Sequence, residues 1–335
     1  MSSSAQTFST LGKQEAIRLL YEGSGFKPFE EPVSFKAKTR SYITHAQKSF
    51  LEGIDFDLVY FPLKHLGYKC ALACSAELLS RMAHPAVMSV SLGVSAKLDF
   101  EQIKELWQGV VVAAKEFGYQ SLGLDIQPSK NGLSISISAS GETSELIYKR
   151  RSTAHSKDLI CVSGALGAAF LGQSLLESEK KHFENGAVKS EMLEKHKMLV
   201  GAYLRPEIDA NVVKNLEDAQ IYPSFGYVIS RGLSDAVLRL QRDSGLGVKI
   251  YSQTIPFEGN SFALGSELNI DPISAAMNGG DDYKLLFTVP ILSLEKFRAD
   301  FQTFDIIGHL AQSEVGAVLL TPDGAEMPVR AQGWN

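Results

Sequence analysis

Apolar and polar residues alternate with a period of two along residues 88–95 and again along 133–140, and in both runs the polar positions are mostly serine. Met88, Val90, Leu92 and Val94 share one side of the first run and Ser89, Ser91, Gly93 and Ser95 the other. Leu133, Ile135, Ile137 and Ala139 oppose Ser134, Ser136, Ser138 and Ser140 in the second. Each run predicts a strand with one buried face. Between them Phe100, Ile103, Leu106, Val110, Ala114 and Phe117 recur at helical spacing, behind Asp99 as a cap with Gln102 at the third helical position. Two serine-faced strands around a long helix predict an α+β sheet, a two-layer arrangement whose helices cover the apolar face. The serine face is left to solvent or to shallow packing on a second subunit.

The rest of the chain divides in the same way. Residues 11–22 predict a short helix, 23–40 a loop, and 56–60 a weak strand. Leu66, Cys70, Ala73 and Leu78 mark a helix over 62–82, stopped at His84-Pro85 because a residue before proline leaves the helical region. The charged stretch 142–158 is read as turn-rich and places a boundary between an N-terminal domain, 1–145, and a C-terminal α/β domain, 146–335. Beyond it the pattern predicts strands at 159–162, 248–252, 283–289 and 305–310. It predicts helices from 168 to about 179 and over 190–200, 233–244 and 294–301, with a weak one at 207–216. A hairpin begins at 315–321 and turns at Pro322-Asp323-Gly324. No repeat of solenoid length is present.

At 335 residues the chain exceeds the usual size of one domain, which supports the division in two. Apolar residues make up 44% and charged residues 21%, an ordinary globular composition that excludes disordered and collagen-like classes. The net charge of −5 gives no general pull toward nucleic acid or anionic membrane. The apolar stretch 159–176 is too short and too polar to span a bilayer, and residues 1–10 lack an export pattern, so a cytoplasmic location is expected. Cys70, Cys74 and Cys161 build no disulfide framework, and their spacing to the histidines matches no zinc site. His65, His84, His182 and His196 form no legible catalytic triad, and Lys180-Lys181-His182 reads as a solvated helix surface.

Two glycine-containing segments carry candidate chemistry. Gly164-Ala165-Leu166-Gly167 lies between a strand and a helix, where free backbone N–H groups can hold an anion, but it has neither dinucleotide nor P-loop spacing. In Asn278-Gly279-Gly280-Asp281-Asp282 two adjacent carboxylates precede an apolar strand, a crowding that calls for a cation, a donor-rich ligand or solvent.

Several segments taken together resemble thiamine-monophosphate kinase. They are Leu51-Glu52-Gly53 through Phe56; Tyr60-Phe61-Pro62-Leu63-Lys64-His65-Leu66-Gly67-Tyr68-Lys69; the strand and turn over 159–167; Asn278-Gly279-Gly280-Asp281-Asp282-Tyr283-Lys284; and Ala331-Gln332-Gly333-Trp334-Asn335. The resemblance implies the two-domain aminoimidazole-ribonucleotide-synthetase-like fold, a homodimer that pairs the sheets of the first domain, and transfer of the ATP γ-phosphoryl group to thiamine monophosphate with Mg²⁺ held by aspartates. Phosphoryl transfer needs such ions to neutralise charge on the moving group.

Many of the family's acids are replaced here. Its early Gly-Asp-Asp motif falls near Glu30-Glu31-Pro32. Its Thr-Asp falls at Gln47-Lys48, and its histidine before Phe56 is Asp55. Asn-x-Ser-Asp reads Cys74-Ser75-Ala76-Glu77, and the Gly-Gly-Asp-Thr-Thr turn reads Gly123-Leu124-Asp125-Ile126-Gln127. Ser-Gly-Asp-Leu-Gly has become Ser163-Gly164-Ala165-Leu166-Gly167, and Asp-x-Ser-Asp-Gly-Leu reads Val228-Ile229-Ser230-Arg231-Gly232-Leu233. Carried over position by position, the resemblance assigns catalysis to Glu77, Asp125 and Asp282, with Glu77 and Asp125 as metal ligands if metal binding is retained. It assigns nucleotide contacts to Lys48, Gly123, Arg151, Gly164, Gly167 and Arg231, and substrate contacts to Asp281 and Trp334.

The favoured expectation is a kinase-like homodimer that has lost Mg-ATP chemistry and binds or regulates through a small phosphorylated or thiamine-like ligand. Lys48 or Arg231 is then expected to pair with Glu77 or Asp125. The alternative is an active ATP-dependent thiamine-monophosphate kinase with an altered metal set drawn from Glu31, Glu77, Asp125, Asp281 and Asp282, needing Mg²⁺ and ATP. No nucleic acid, no membrane and, in the favoured case, no cofactor are expected.

Overall fold

The computed structural model describes residues 13–26, 38, 40–151, 153–180 and 191–331. The chain forms two compact units, Met1–Ser144 and Glu145–Asn335.

In the first unit, α1 (Lys13–Tyr21), β1 (Ser41–Leu51), α2 (Leu63–Ser80), β2 (His84–Ser95), α3 (Phe100–Glu116), β3 (Ser121–Ser129) and β4 (Ser134–Ser144) follow in order. The strands make a sheet in the order β1-β4-β2-β3, in which β4 runs antiparallel to both neighbours and β2 runs parallel to β3. A parallel pair needs a crossover, and α3 supplies it. Met88, Val90, Leu92, Ile135, Ile137 and Ala139 are all buried, so the predicted apolar face is the core face. The capping box at Asp99 is present: Asp99 Oδ1 accepts from Gln102 N–H at 2.9 Å, and Gln102 Oε1 accepts from Asp99 N–H at 2.9 Å. Helices α2 and α3 approach backbone to backbone at two glycines. A Cβ built on Gly67 would lie 2.0 Å from the Leu106 carbonyl oxygen, and one on Gly109 would lie 1.9 Å from that of Lys64.

Three expectations are corrected. The first strand occupies Ser41–Leu51, not 56–60, which is turn and loop. Among the described residues it pairs on one side only, as an edge strand, and it exposes Tyr42, Ile43 and Leu51, so its apolar residues never alternate cleanly. Gly123-Leu124-Asp125 lies inside β3, not in a turn, because Ser89, Val90 and Ser91 of β2 pair with these three residues. The segment 142–158 is also less turn-rich than its charge suggests, since β4 runs to Ser144 and α4 (Glu145–Arg150) follows at once.

The second unit continues with β5 (Leu159–Val162), α5 (Ala168–Ser178), α6 (Glu191–Lys195), α7 (Lys197–Leu204), α8 (Val212–Asp218), β6 (Gly226–Ile229), α9 (Leu233–Ser244) and β7 (Gly247–Tyr251). Then come α10 (Ser261–Leu268), α11 (Pro272–Asn278), β8 (Lys284–Val289), α12 (Leu294–Asp300), β9 (Asp305–Ala311), β10 (Ala317–Leu320) and β11 (Glu326–Pro328). Its strands order as β11-β10-β7-β9-β5-β8-β6. Only β10 with β7 is parallel among these pairs. Ile160, Val162, Ile229, Leu233, Val237, Ile250 and Leu286 share the main core; Leu171, Leu175, Leu199 and Leu264 form a second cluster. The pattern reading missed β6, a four-residue, fully buried apolar strand without alternation, and the short helices α10 and α11. The expected helix over 190–200 is split at His196, which is buried against Glu267 of α10 with Nε2 2.8 Å from Oε2.

Candidate functional site

Within each unit, some of the residues singled out by sequence come together and others do not. In the first unit, Lys48 stands on β1 opposite Ile137 of β4 and therefore on the core side of the sheet, facing the last turn of α2. There its Nζ meets Glu77 Oε1 at 2.7 Å, the expected pairing. The two side chains keep 28% and 24% of their surface, so water still reaches both. With Thr44, His45, Ala46, Gln47 and Arg81 they line an open depression of about 320 Å³ at the sheet edge. Cys74, one helical turn before Glu77, lies beneath, its Sγ 3.6 Å from the Ala46 carbonyl and 3.7 Å from that of Ile137. Burial pushes its thiol up to about 12, the Lys48 charge opposing this only in part, so it is no nucleophile at neutral pH.

Asp125 is elsewhere. It pairs with Ser91, on the serine face of β3, whereas Lys48 belongs to the layer of Ile137 and Val90; β1 and β3 are moreover the two edges of the sheet. Its carboxylate receives Gln127 Nε2 at 3.3 Å. Asp125 and Glu77 are thus on opposite sides of the sheet, and the expected convergence of Lys48, Glu77 and Asp125 is corrected: only the first two meet. Gly123 lies on the same serine face, two residues earlier.

In the second unit three loops converge at the end of the sheet. The turn over 163–167 follows β5, the segment 230–232 follows β6, and 279–283 precedes β8. Asp281 N–H donates to the Ser230 carbonyl at 3.1 Å and Tyr283 N–H to that of Ile229 at 2.9 Å. Between these two bonds Asp282 turns inward. It is 4% exposed, and its carboxylate accepts Gly167 N–H at 2.8 Å and Ala169 N–H at 3.1 Å. Burial pushes its pKa up to about 7, while the two backbone donors hold it down in part. The N–H groups at the start of α5, expected to face an incoming anion, are therefore engaged by the chain's own carboxylate. That corrects the anion-binding expectation at Gly167. Gly164, with φ of 143°, sits beside the stem of Lys284. The Lys284 ammonium donates to the Glu207 carbonyl at 2.9 Å, and burial lowers its pKa.

Arg231 pairs within its own unit, its Nη2 3.2 Å from Asp235 Oδ1 on the next helical turn, and it remains 64% exposed. Asp235 also meets Arg239 Nε at 2.9 Å, and Arg239 lies over the Tyr227 ring at 5.1 Å while donating to the Val228 carbonyl at 2.9 Å. Arg151, expected to contact the nucleotide, donates to the carbonyls of Pro223 and Ser224, each at 3.0 Å. Trp334, Glu30-Glu31-Pro32 and Lys181-His182 lie outside the described residues. Arg81 and Asp235 were missed by sequence reasoning. Each stands four residues from a singled-out charge, Glu77 and Arg231, a helical spacing that could have found both.

A Mg²⁺ cluster asks for several oxygen ligands in near-octahedral array. Here Glu77 holds an ammonium, Asp125 is across the sheet, Val228 is an apolar residue at the centre of buried β6, and Ala165 carries no donor. Among the described residues no group of three or more His, Cys, Asp or Glu side chains is placed to hold a metal ion.

Comparison with known proteins places the chain. No family model matches it. It is 28% identical over 239 residues to thiamine-monophosphate kinase of Aquifex aeolicus, covering 71% of this chain and 73% of the relative. Among solved structures it is similar to AaThiL complexed with AMPPCP and TMP, with TM-score 0.72, 24% identity and 97% of each chain covered. It is also similar to the hydrogenase maturation protein HypE of E. coli, with TM-score 0.70 and 16% identity over 96% of this chain and 98% of that one. These likenesses show the aminoimidazole-ribonucleotide-synthetase-like fold.

Proposed function

We propose, from the premise that this chain is a relative of the thiamine-monophosphate kinase family, that it is a homodimeric, cytoplasmic ligand-binding protein. In this reading it keeps the kinase scaffold and holds a small phosphorylated or thiamine-like molecule without magnesium-dependent phosphoryl transfer. The observation that carries this reading is the 2.7 Å ion pair of Lys48 with Glu77. A carboxylate already neutralised by an ammonium has little to offer a dication, and the fixed charge of Lys48 repels one. Val228 and Arg231 act in the same direction in the second unit, one removing oxygen ligands and the other adding positive charge.

A second reading has its own support. The curated relatives carry the name thiamine-monophosphate kinase, and one structural neighbour is complexed with AMPPCP and TMP. This favours an active ATP-dependent thiamine-monophosphate kinase better than it favours ligand holding alone, and Mg²⁺ and ATP would then be required.

ADP release by the purified chain with ATP, thiamine monophosphate and Mg²⁺ separates the two. The ligand-binding reading expects no turnover above background together with measurable thiamine monophosphate binding in EDTA. Turnover of about one per second or faster, within the range of ordinary enzymes, establishes the second reading instead.

A further inference from the structure

We propose that the groove between α8 and α12 in the second unit binds an aliphatic polyamine, a chain of methylene groups carrying several ammonium charges. The inference goes beyond the ligand-binding reading above and does not rest on it. The groove lies within one unit and shares no residue with the turns over 163–167, 230–232 and 279–283.

The groove encloses about 640 Å³, within the roughly 300–1,000 Å³ of small-molecule sites. Among the described residues its lining includes the carboxylates of Asp209, Asp218 and Asp300 and no Lys, Arg or His. Asp218 is the last residue of α8 and Asp300 the last of α12. A helix C-terminus carries partial negative charge on carbonyls that lack N–H partners, so a carboxylate is disfavoured there and a cation favoured. Both helices place an acid at this end, and both ends open on the same groove. Asp209 is held beside it, accepting Asn211 N–H at 2.8 Å and Asn215 Nδ2 at 3.0 Å. The apolar part of the lining comes from Val212, Phe301 and Phe304, the two rings packing edge to face with centroids 5.8 Å apart. Aromatic faces attract ammonium groups and give methylene segments a surface to cover.

The spacing of the acids decides between kinds of cation. Among the described residues no three acidic side chains converge closely enough to hold one metal ion. A point charge therefore gains too few oxygen ligands in the groove. Ammonium groups separated by methylenes can each meet a different carboxylate while the carbon segments lie on Val212 and the phenyl rings.

Binding of putrescine, spermidine and spermine to the full chain is measured in EDTA by isothermal titration, at low and at physiological salt. The expected result is saturable binding that tightens from the diamine to the tetraamine and weakens with salt. Asp218→Asn and Asp300→Asn are each expected to lower spermine affinity about fivefold, which is about 1 kcal/mol and the scale of a solvent-accessible ion pair. Glu295→Gln removes an exposed charge on α12 outside the groove and is expected to leave affinity unchanged, which separates a site from the general attraction of a chain of net charge −5. Thr303→Arg tethers a guanidinium in the groove and is expected to abolish binding, an independent readout should either Asn variant fail to fold. No saturable spermine binding, an equal loss in Glu295→Gln, or full binding in Thr303→Arg overturns the proposal. So does Mg²⁺ binding more tightly than spermine at the same residues, or a lysine-rich peptide binding there when spermine does not. These titrations contain neither ATP nor thiamine monophosphate, so their failure and failure of the ligand-binding reading are distinct results.

Discussion

Asp282→Asn is the most informative single perturbation of the second unit. The wild-type carboxylate is buried, joins Gly167 and Ala169 through two backbone hydrogen bonds, and has its pKa pushed up to about 7 by burial. Between the ordinary value of 3.8 and about 7, the folded chain holds a proton that the unfolded chain has released. Stability therefore falls as pH rises through this window, by at most ~1.4 kcal/mol per pH unit, and is level above it. From pH 5.5 to 8 the loss amounts to roughly 2 kcal/mol. Asparagine removes the titration but has one acceptor oxygen for two donors, leaving one N–H without a partner at a cost of about 1–3 kcal/mol. The variant is expected to be less stable than wild type at pH 5.5, and the gap is expected to narrow by roughly 2 kcal/mol at pH 8. Urea unfolding of both proteins at the two pH values reads this directly. Parallel changes in the two proteins would refute the assignment of that slope to Asp282.

Gly67→Ala places a methyl group 2.0 Å from the Leu106 carbonyl oxygen, so α2 and α3 must separate by about 1 Å or more. Overpacking of about 1–3 kcal/mol is expected to outweigh the ~1 kcal/mol helix gain of alanine, and a urea midpoint at or above wild type would contradict it. Arg239→Met loses the Asp235 ion pair, the Val228 carbonyl bond and the Tyr227 ring together. It is expected to cost about 1–3 kcal/mol in thermal unfolding, whereas Arg231→Ala, 64% exposed, is expected to stay within about 0.5 kcal/mol of wild type. Lys48→Asp sets two carboxylates face to face across a gap that a hydrated dication can fill. It is expected to gain a Mg²⁺-dependent rise in melting temperature, about 1.4 kcal/mol at ten times Kd, and an equal rise in wild type would defeat the charge argument.

The alternation in β2 and β4 and the periodicity of α3 were legible because a strand or helix with one buried face writes its period into the chain. β1 was not legible, since an edge strand with one half-exposed face has little reason to alternate. β6 was not, because burial on both faces erases the period. At the candidate site the identity of the replaced residues was readable, and so was the chemistry of the Lys48–Glu77 pair. What failed was placement. Asp125 was read as part of a turn close to Glu77, but the face on which a strand residue stands depends on register, and register with β2 sets Asp125 on the serine side. Asp282 was read as a catalytic group exposed to ligand. Only the long-range contact with Gly167 and Ala169, more than 110 residues away, shows that it closes the turn from inside.

The two units meet their charges by the same means. In the first, an ammonium sits against the carboxylate at Glu77; in the second, the carboxylate of Asp282 sits against the N–H groups at the start of α5, and Arg231 sits against Asp235. A site that collects carboxylates for dications is strained while empty, because like charges repel and the ion relieves them. A site whose charges are paired within the chain is settled while empty and gives up that balance only to a ligand offering a better partner. An anion reaching Lys48 competes with one half-buried carboxylate, whereas a cation reaching Glu77 must displace a covalently tethered ammonium that is present at high effective concentration. The same pair is thus more permissive to an anion than to magnesium.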